Sequence, residues 1–196
     1  MKDHIIITIS RQLGSGGSEI AEKLAERLGV HCYNRQIINL VAEKLKDSGD
    51  TSDDVIEESY KTLQSSLGNL GEYGLESTAR YNQMYKEQSA AVINIAKNES
   101  AVFVGRCADF TLRNDPDHYA IFIYANDAFR IKHAEENNMS IKDLNRLEKD
   151  RERYYSYHTG QKWGDKFNYD LLLNTSCLTV DQAVELLMDY ITVRNK

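Results

Sequence analysis

The sequence lacks the features that mark membrane, secreted and zinc-binding proteins. Its apolar runs fall well short of the roughly 18 residues that cross a bilayer, and the apolar start at residues 5–9 is too short for a secretory signal. The three cysteines, Cys32, Cys107 and Cys177, are widely separated, without CxxC or Cys/His spacing, so neither a disulfide framework nor a zinc knuckle is expected. We therefore expect a cytoplasmic protein that has no membrane partner.

Basic residues are also in short supply. The 24 lysines and arginines are outnumbered by 30 acidic residues, and the net charge of -6 would repel a nucleic-acid backbone. The dense basic run at residues 146–153 is interleaved with acids. Polymeric nucleic acid is therefore not an expected partner. The length of 196 residues and the hydrophobic share of 41% suit one globular domain.

Short β-branched or apolar runs alternate with amphipathic segments along the chain. The runs at residues 5–9, 30–33, 101–104, 119–124 and 171–173 are typical of strands buried on both faces of a parallel sheet. Between them, Ile20, Leu24 and Leu28 recur at helical spacing, Ser140 suits a helix N-cap, and Thr179 with Gln182 has capping-box spacing. This alternation predicts an α/β fold with three layers around a central parallel sheet.

The segment from residue 34 to residue 98 breaks this alternation. It consists of polar, helix-like stretches with no strong apolar strand, and it regains an apolar face only at Val92, Ile93 and Ala96. We expect a helical insert in a single domain whose core comprises about residues 1–33, 99–139 and 170–196.

A glycine-rich turn joins the first predicted strand to the first predicted helix. Gly14, Ser15, Gly16, Gly17 and Ser18 leave the main chain free of bulky side chains at a helix start, where free N–H groups and the helix dipole favour an anion. A dinucleotide-binding fingerprint would require glycine at the position of Glu19. The turn therefore predicts a phosphate cradle, with a purely steric turn as the alternative.

The turn matches only part of the GxxxxGK[ST] motif. Arg11 stands at the first glycine, Gly16 at the second, Gly17 at the lysine and Ser18 at the hydroxyl that holds magnesium. The missing lysine normally bridges the β- and γ-phosphates, so another cation is needed. We hypothesise that Arg11 or an arginine from elsewhere in the chain supplies this charge.

Several ordered runs resemble the cytidylate kinase-like family over nearly the whole chain, with the weakest match between Asp47 and Arg80. The first is ISRQLGSGG at residues 9–17, followed by Ile20-Ala21, and the second is VFVGRCAD at residues 102–109. The third comprises Tyr154-Tyr155, Thr159-Gly160, Trp163-Gly164-Asp165, Tyr169-Asp170-Leu171 and Asn174-Thr175.

The resemblance implies a P-loop kinase that uses ATP and Mg²⁺ to phosphorylate a nucleoside monophosphate such as CMP. It implies that the insert closes over the acceptor and that a lid at about residues 140–169 brings Arg151 or Arg153 to the transferred phosphate. These two arginines lie two apart and so point about 200° away from one another on a helix. The acceptor-binding Asp-Gly-Arg-Asp run of cytidylate kinases is Val104-Gly105-Arg106-Cys107 here, which keeps the arginine and loses both acids.

Four residues are candidates for acceptor binding. Arg106 directly follows a buried strand and should emerge at the carboxyl end of the sheet, where ligands bind in open α/β folds. Asp109 could form a hydrogen bond to a base or sugar, or it could cap a helix. Arg35 could contact the acceptor phosphate, and Asp170 could contact the acceptor.

Three other functions stay open. The chain could be a kinase with a different small acceptor, because the acceptor motif is altered. It could be a nucleotide-binding regulatory protein without turnover, because the lysine is missing. It could also be an assembly protein that forms a homo-oligomer through residues 50–88 of the insert.

Overall fold

The computed structural model describes residues 4–34 and 73–195, and within them five strands form one parallel sheet. The strand order is β2-β3-β1-β4-β5. The strands are β1 (Ile6–Arg11), β2 (His31–Tyr33), β3 (Ala101–Val104), β4 (His118–Tyr124) and β5 (Leu171–Asn174). The prediction of a three-layer α/β fold with these five strands is confirmed.

Helices cover both faces of the sheet. They are α1 (Gly17–Leu28), α2 (Tyr73–Asn98), α3 (Ala108–Thr111), α4 (Asp127–Glu136), α5 (Ile141–Thr159) and α6 (Val180–Arg194), with a short 3₁₀ turn at Lys166–Asn168. The predicted caps are confirmed, because Ser140 accepts a hydrogen bond from the Asp143 amide and Thr179 and Gln182 form a capping box. None of the helices in the described part of the chain is long and apolar enough to cross a membrane.

One face of the sheet is almost entirely apolar. Side chains alternate between the faces of a strand, so Ile5, Ile7 and Ile9 share this face and are all buried. Helices α1 and α6 cover it with Leu24 and Leu187, among others. This packing fixes the start of α1, and with it the turn that precedes α1.

The other face carries polar side chains within its core. Thr8 and Ser10 point to it from β1 and are each 1% exposed. Helix α2 covers part of this face through Val92 and Ala96, whereas Ile93 is 39% exposed, so its predicted place on the apolar stripe is wrong. Neighbouring helix positions diverge by about 100°, which turns Ile93 away from the sheet.

The order of the strands places a crevice beside β1. The chain passes from β1 to β2 and β3 on one side and then to β4 on the other side of β1. Parallel sheets bind ligands at the carboxyl edge where the strand order reverses. The glycine-rich turn after β1 and the turn after β3 both lie at this edge.

His118 should make stability depend on pH. Its ring lies 2.6 Å from the Thr8 hydroxyl, and burial, the main cause, lowers its pKa to about 4. Asp170 and Asp115 act in the opposite direction. In the unfolded chain His118 takes up its proton near pH 6.5, whereas in the folded protein it does so only near pH 4. The stability contributed by neutral His118 is therefore present above pH 6.5 and is lost between pH 6.5 and about 4. The free energy of unfolding should fall by on the order of 3 kcal/mol across this range.

The expected result is that His118→Gln flattens the rise in unfolding free energy from pH 4 to pH 6.5, measured by urea unfolding. His158, whose pKa burial also lowers to about 4, supplies a separate share that His158→Gln should remove. A wild-type slope in the His118→Gln protein would contradict the assignment.

Candidate functional site

The turn between β1 and α1, residues 12–18, is called the glycine loop below. Gly14 and Gly16 have φ values of 79° and 75°, which favour glycine, and a Cβ at Gly14 would lie 2.6 Å from the Arg130 carbonyl oxygen. The Ser15 hydroxyl donates to the Gln12 carbonyl at 2.7 Å, and the Thr175 hydroxyl donates to the Ser15 carbonyl at 2.8 Å. The loop is therefore held in one conformation from several sides.

The first turn of α1 is suited to an anion. Gly16 is its N-cap and supplies no side-chain hydrogen bond to the helix. A cavity of about 150 Å³ adjoins the loop and is lined by Gly14, Gly16, Ser18, Arg11 and Arg151, among others. Main-chain N–H groups and two guanidinium groups thus border the same space.

Arg11 occupies the room that a side chain at position 17 would need. A Cβ added to Gly17 would lie 2.6 Å from the Arg11 Cβ and 2.9 Å from its Cγ. The same side chain ends against Gly105, where an added Cβ would collide with the guanidinium. Arg11 Nε lies 3.3 Å from Ser18 Oγ. Because positions 17 and 105 are glycines, the Arg11 side chain can extend past Gly17 to Gly105 behind the glycine loop.

Three arginines gather at this carboxyl edge. Arg151 Nη1 donates to the Arg11 carbonyl oxygen at 2.8 Å. Burial lowers the pKa of Arg11 well below its ordinary value, and the neighbouring charges of Arg151 and Arg106 lower it further. Burial is also the main cause that lowers the pKa of Arg106 and of Arg151. Gathering like charges in a partly buried place is unfavourable unless anions join them. Glu148 supplies one negative charge against three positive ones, so the cluster suits a polyanion.

The turn after β3 has an unusual backbone. Gly105, Arg106 and Cys107 all have left-handed φ values, of 71°, 60° and 55°. Two of them carry a Cβ, for which this conformation is unfavourable. Backbone strain of this kind concentrates at functional sites, and here it sets the direction in which Arg106 leaves the strand.

Helix α5 contacts the loop region along one face. Glu148 Oε2 accepts a hydrogen bond from the Leu13 amide at 2.7 Å, and Arg151 contacts the Arg11 carbonyl. The Tyr155 hydroxyl donates to Asp109 Oδ2 at 2.7 Å. These three positions are spaced three and four residues apart and so share one helix face.

Arg153 lies on a different side of α5. Its side chain is 57% exposed and lies 3.9 Å from Asp150. The structure therefore brings Arg151, but not Arg153, to the glycine loop, as the angle between the two positions requires.

Asp109 is a buried part of the polar face rather than an open recognition group. It is 4% exposed and accepts hydrogen bonds from Ser10, at 3.3 Å, and from Tyr155. Burial raises the pKa of its carboxyl group, against the opposing effect of these hydrogen bonds. Asp109 thus links β1 to the helix that carries Arg151.

The structure does not bring Asp170 to the site. It precedes β5 and so lies at the amino edge of the sheet, where it pairs with Arg194 at 2.6 Å and accepts from the Ala120 amide at 2.8 Å. It lines a cavity of about 280 Å³ that does not include the glycine loop. The prediction that Asp170 contacts the acceptor is corrected for this reason. Arg35 lies outside the described residues.

Two residues at the site escaped the sequence analysis. Arg130 Nε donates to the Leu13 carbonyl at 2.8 Å, and Glu148 holds the Leu13 amide. Arg130 lies one turn into α4, which follows β4 at the same carboxyl edge. The signal for Arg130 in the sequence is a basic residue in the first predicted helix after a buried strand, whereas nothing distinguishes Glu148 within its mixed charge run.

Tyr155→Phe should destabilise the protein by about 1–3 kcal/mol, because it removes a hydroxyl donor from the buried Asp109 carboxyl group. Urea unfolding at neutral pH measures this change. Tyr157→Phe is the matched control on the same helix, and its effect should stay within about 0.5 kcal/mol because Tyr157 is 51% exposed. Equal stability of the two variants would contradict the structural role of the bond.

Comparisons with known proteins identify the family and the fold of the chain. Residues 6–177 match the cytidylate kinase-like family. An uncharacterized protein from Eubacterium ventriosum has a similar structure, with a TM-score of 0.70 and 25% identity over 96% of this chain and 99% of that one. Among curated proteins, none matches the sequence.

Two kinases share the fold. Shikimate kinase from Bacteroides thetaiotaomicron has a TM-score of 0.57 at 12% identity, over 96% of this chain and 98% of that one. Deoxyadenosine kinase from M. mycoides with bound dATP has a TM-score of 0.50 at 14% identity, over 96% of this chain and 100% of that one. The resemblance noted in the sequence is thereby confirmed, and the chain, with its P-loop kinase fold, belongs to the cytidylate kinase-like family.

Proposed function

We propose that the protein transfers the γ-phosphoryl group of ATP to a nucleoside monophosphate, with CMP as the first acceptor to test. Its family supports a phosphotransferase, and the observation that carries the proposal is the cluster of Arg11, Arg106 and Arg151 beside the glycine loop. Phosphoryl transfer depends on positioned positive charge more than on covalent chemistry by the protein. The cluster supplies that charge at the edge where both substrates would meet.

The donor phosphates would lie against the glycine loop. The loop main chain is held by the Thr175 hydroxyl and by its own Ser15 hydroxyl, and its N–H groups from Gly14 to Ser18 would bind the phosphates. The amides of Ser15 and Gly17 would exchange the long bonds that they make inside the loop, at 3.3 and 3.4 Å, for bonds to phosphate. Arg11 would replace the missing lysine, because its side chain fills the space at Gly17 and its guanidinium lies near the loop. Arg130 would act indirectly, by holding the Leu13 carbonyl.

Arg106 and Arg151 would serve the acceptor and the transferred group. Arg106 leaves the turn after β3, on the acceptor side, and would orient the acceptor phosphate. Arg151 lies close to both Arg11 and Arg106, so it would neutralise charge on the group in transit. An acceptor phosphate oxygen attacks the γ-phosphorus, the bond from that phosphorus to the ADP oxygen breaks, and ADP and the nucleoside diphosphate leave without a covalent enzyme intermediate.

Ser18 is the residue that would hold Mg²⁺. Its hydroxyl lies at the end of the glycine loop, in the first turn of α1, and accepts from Arg11 Nε at 3.3 Å, so one of its two lone pairs is left for the ion. The described residues contain no group of three His, Cys, Asp or Glu side chains placed to hold a metal, which fits an ion that arrives with ATP and keeps phosphate and water ligands. When bound, Mg²⁺ neutralises charge on the phosphate oxygens.

Helix α5 would form part of a lid. It already contacts the loop through Glu148 and Arg151, so it would shield the transferred group from water and limit hydrolysis of ATP. Of the insert proposed at residues 34–98, helix α2 is the part that the structure describes, and it would cover the acceptor from the other side. Residues 35–72 lie outside the described part of the chain.

A different small acceptor is the second candidate. The observation that favours it is the loss of both acids around Arg106, where true cytidylate kinases carry Asp-Gly-Arg-Asp. An ADP-release assay across nucleoside monophosphates and small alcohols separates the two candidates. Binding of ATP without ADP release over the whole panel would instead indicate a regulatory protein.

Restoring the lysine motif tests the role of Arg11. Arg11→Gly should lower turnover by about 10²-fold or more, because it removes the cation from the donor phosphates. Gly17→Lys should also be inactive, because its Cβ collides with Arg11. The double variant Arg11→Gly/Gly17→Lys reads GQLGSGKS, which completes the lysine motif, and should recover at least about tenfold over either single change.

Steady-state kinetics of ADP release measure these rates, and circular dichroism confirms that each variant is folded. Two results would overturn the assignment. One is wild-type turnover in Arg11→Gly, and the other is a folded double variant that is no faster than the single ones.

Arg106→Lys tests the acceptor site. It should raise the KM for CMP by about tenfold or more and leave the KM for ATP unchanged, because lysine lacks the planar pair of donors that binds a phosphate. Arg113→Lys, two residues beyond α3 and away from the glycine loop, is the control and should match wild type. Equal effects on both KM values would contradict a role confined to the acceptor.

A further inference from the structure

Gln88 has a side-chain donor that the described part of the fold does not use. It lies on α2 and is 1% exposed. Its Oε1 accepts a hydrogen bond from the Tyr154 hydroxyl at 3.2 Å, whereas its buried Nε2 has no hydrogen-bond partner among the described residues. Buried amide donors are almost always paired, so this one requires an explanation.

The position of Gln88 along α2 brings it level with the active-site edge. Helix α2 ends at Asn98, just before β3 begins at Ala101, so the helix and the strand run in opposite directions. From Asn98 back to Gln88 the helix rises about 15 Å, close to the roughly 13 Å that four residues of strand span. The next residue, Ser89, lies 3.4 Å from Thr111 on α3, which follows the Arg106 turn.

Tyr154 connects Gln88 to the arginine cluster. It holds Gln88 Oε1, and it lies close enough to Arg106 to raise the pKa of that guanidinium group against the effect of burial. Tyr154 further belongs to an aromatic cluster with His158, at 4.6 Å between ring centroids, and Tyr85 stacks on the same histidine at 4.1 Å. A neutral donor, planar rings and a guanidinium therefore adjoin one another between α2 and α5.

The neutral charge of the amide indicates what it binds. A phosphate would be met by Arg106, whose guanidinium gives stronger, charge-assisted hydrogen bonds. An uncharged donor suits an uncharged acceptor atom, such as a ring carbonyl oxygen or a ring nitrogen of a nucleotide base. The nearby rings suit the planar base itself.

We propose that Gln88 Nε2 donates a hydrogen bond to the base of the acceptor nucleotide and so determines which acceptors are used. This inference rests on the proposed function, since it assigns the base to Gln88 and the phosphate to Arg106. Tyr154 is the positioning residue that orients the amide. In the free enzyme the buried Nε2 has no partner among the described residues, which is unfavourable for stability. The base of the acceptor would supply that partner, and a ligand without it would leave the donor unpaired.

The test compares Gln88→Met with the wild type. Methionine keeps the length and removes the donor, and Gln83→Met, on the exposed side of the same helix, is the matched control. Each protein is loaded with a non-hydrolysable ATP analogue and Mg²⁺ and titrated calorimetrically with CMP and with ribose 5-phosphate, which has the phosphate but no base. Thermal unfolding of each variant is measured alongside.

Gln88→Met should bind CMP about 10- to 100-fold more weakly and ribose 5-phosphate as the wild type does. Its midpoint of unfolding should be unchanged or higher, because an unpaired buried donor has been removed. Arg106→Lys should weaken both ligands, which separates base from phosphate recognition.

Three results would overturn the role of Gln88: unchanged CMP affinity, an equal loss for CMP and ribose 5-phosphate, or a lowered midpoint of unfolding, which indicates a structural role. A wild type that binds the ATP analogue but not CMP would also overturn it and leave the kinase proposal standing. A wild type that does not bind the ATP analogue would remove both proposals.

Discussion

The burial of the Arg11 side chain behind the glycine loop is the constraint on which the rest of the site depends. It requires a residue without a Cβ at position 17, and another at position 105, where the guanidinium ends. It also brings a charged group into a place where burial is unfavourable, so Arg11 needs partners at Ser18 and at the loop. The departure from the lysine motif is therefore a coupled change of positions 11 and 17, which also requires the glycine at position 105, rather than the loss of one residue.

The same constraint explains why α5 docks as it does. Arg151 donates to the Arg11 carbonyl, while Glu148 brings a negative charge that opposes the crowding of guanidinium groups and also holds the Leu13 amide. Four residues beyond Arg151, Tyr155 is fixed to Asp109 on the polar face of the sheet. Helix α5 is thus positioned by the glycine loop at one point and by the sheet at another. These two contacts together determine where the Arg151 guanidinium lies.

The features that the sequence predicted are those with a local signal. Buried strands appear as continuous apolar runs, caps as spaced polar residues, and the glycine loop as glycines between a strand and a helix. Arg106 was found because its strand end could be located. Glu148 was not, because its role depends on a partner 135 positions away. Asp170 was misplaced because a residue beside a strand can lie at either edge of the sheet, and here it lies at the amino edge, against Arg194.

The two faces of the sheet differ in what they contribute. The face under α1 and α6 is apolar and stabilises the fold whatever the ligand. The other face buries Thr8, which bonds to His118 on β4. It also buries Ser10 and Asp109, whose hydrogen bonds reach α5, and it lies beneath the helix that carries Gln88. Buried polar groups cost stability unless each has a partner, so they are expected where a ligand completes them. Gln88 Nε2, which has no hydrogen-bond partner in the part of the chain that the structure describes, lies over this face. The polar face is therefore the one on which the acceptor would be distinguished.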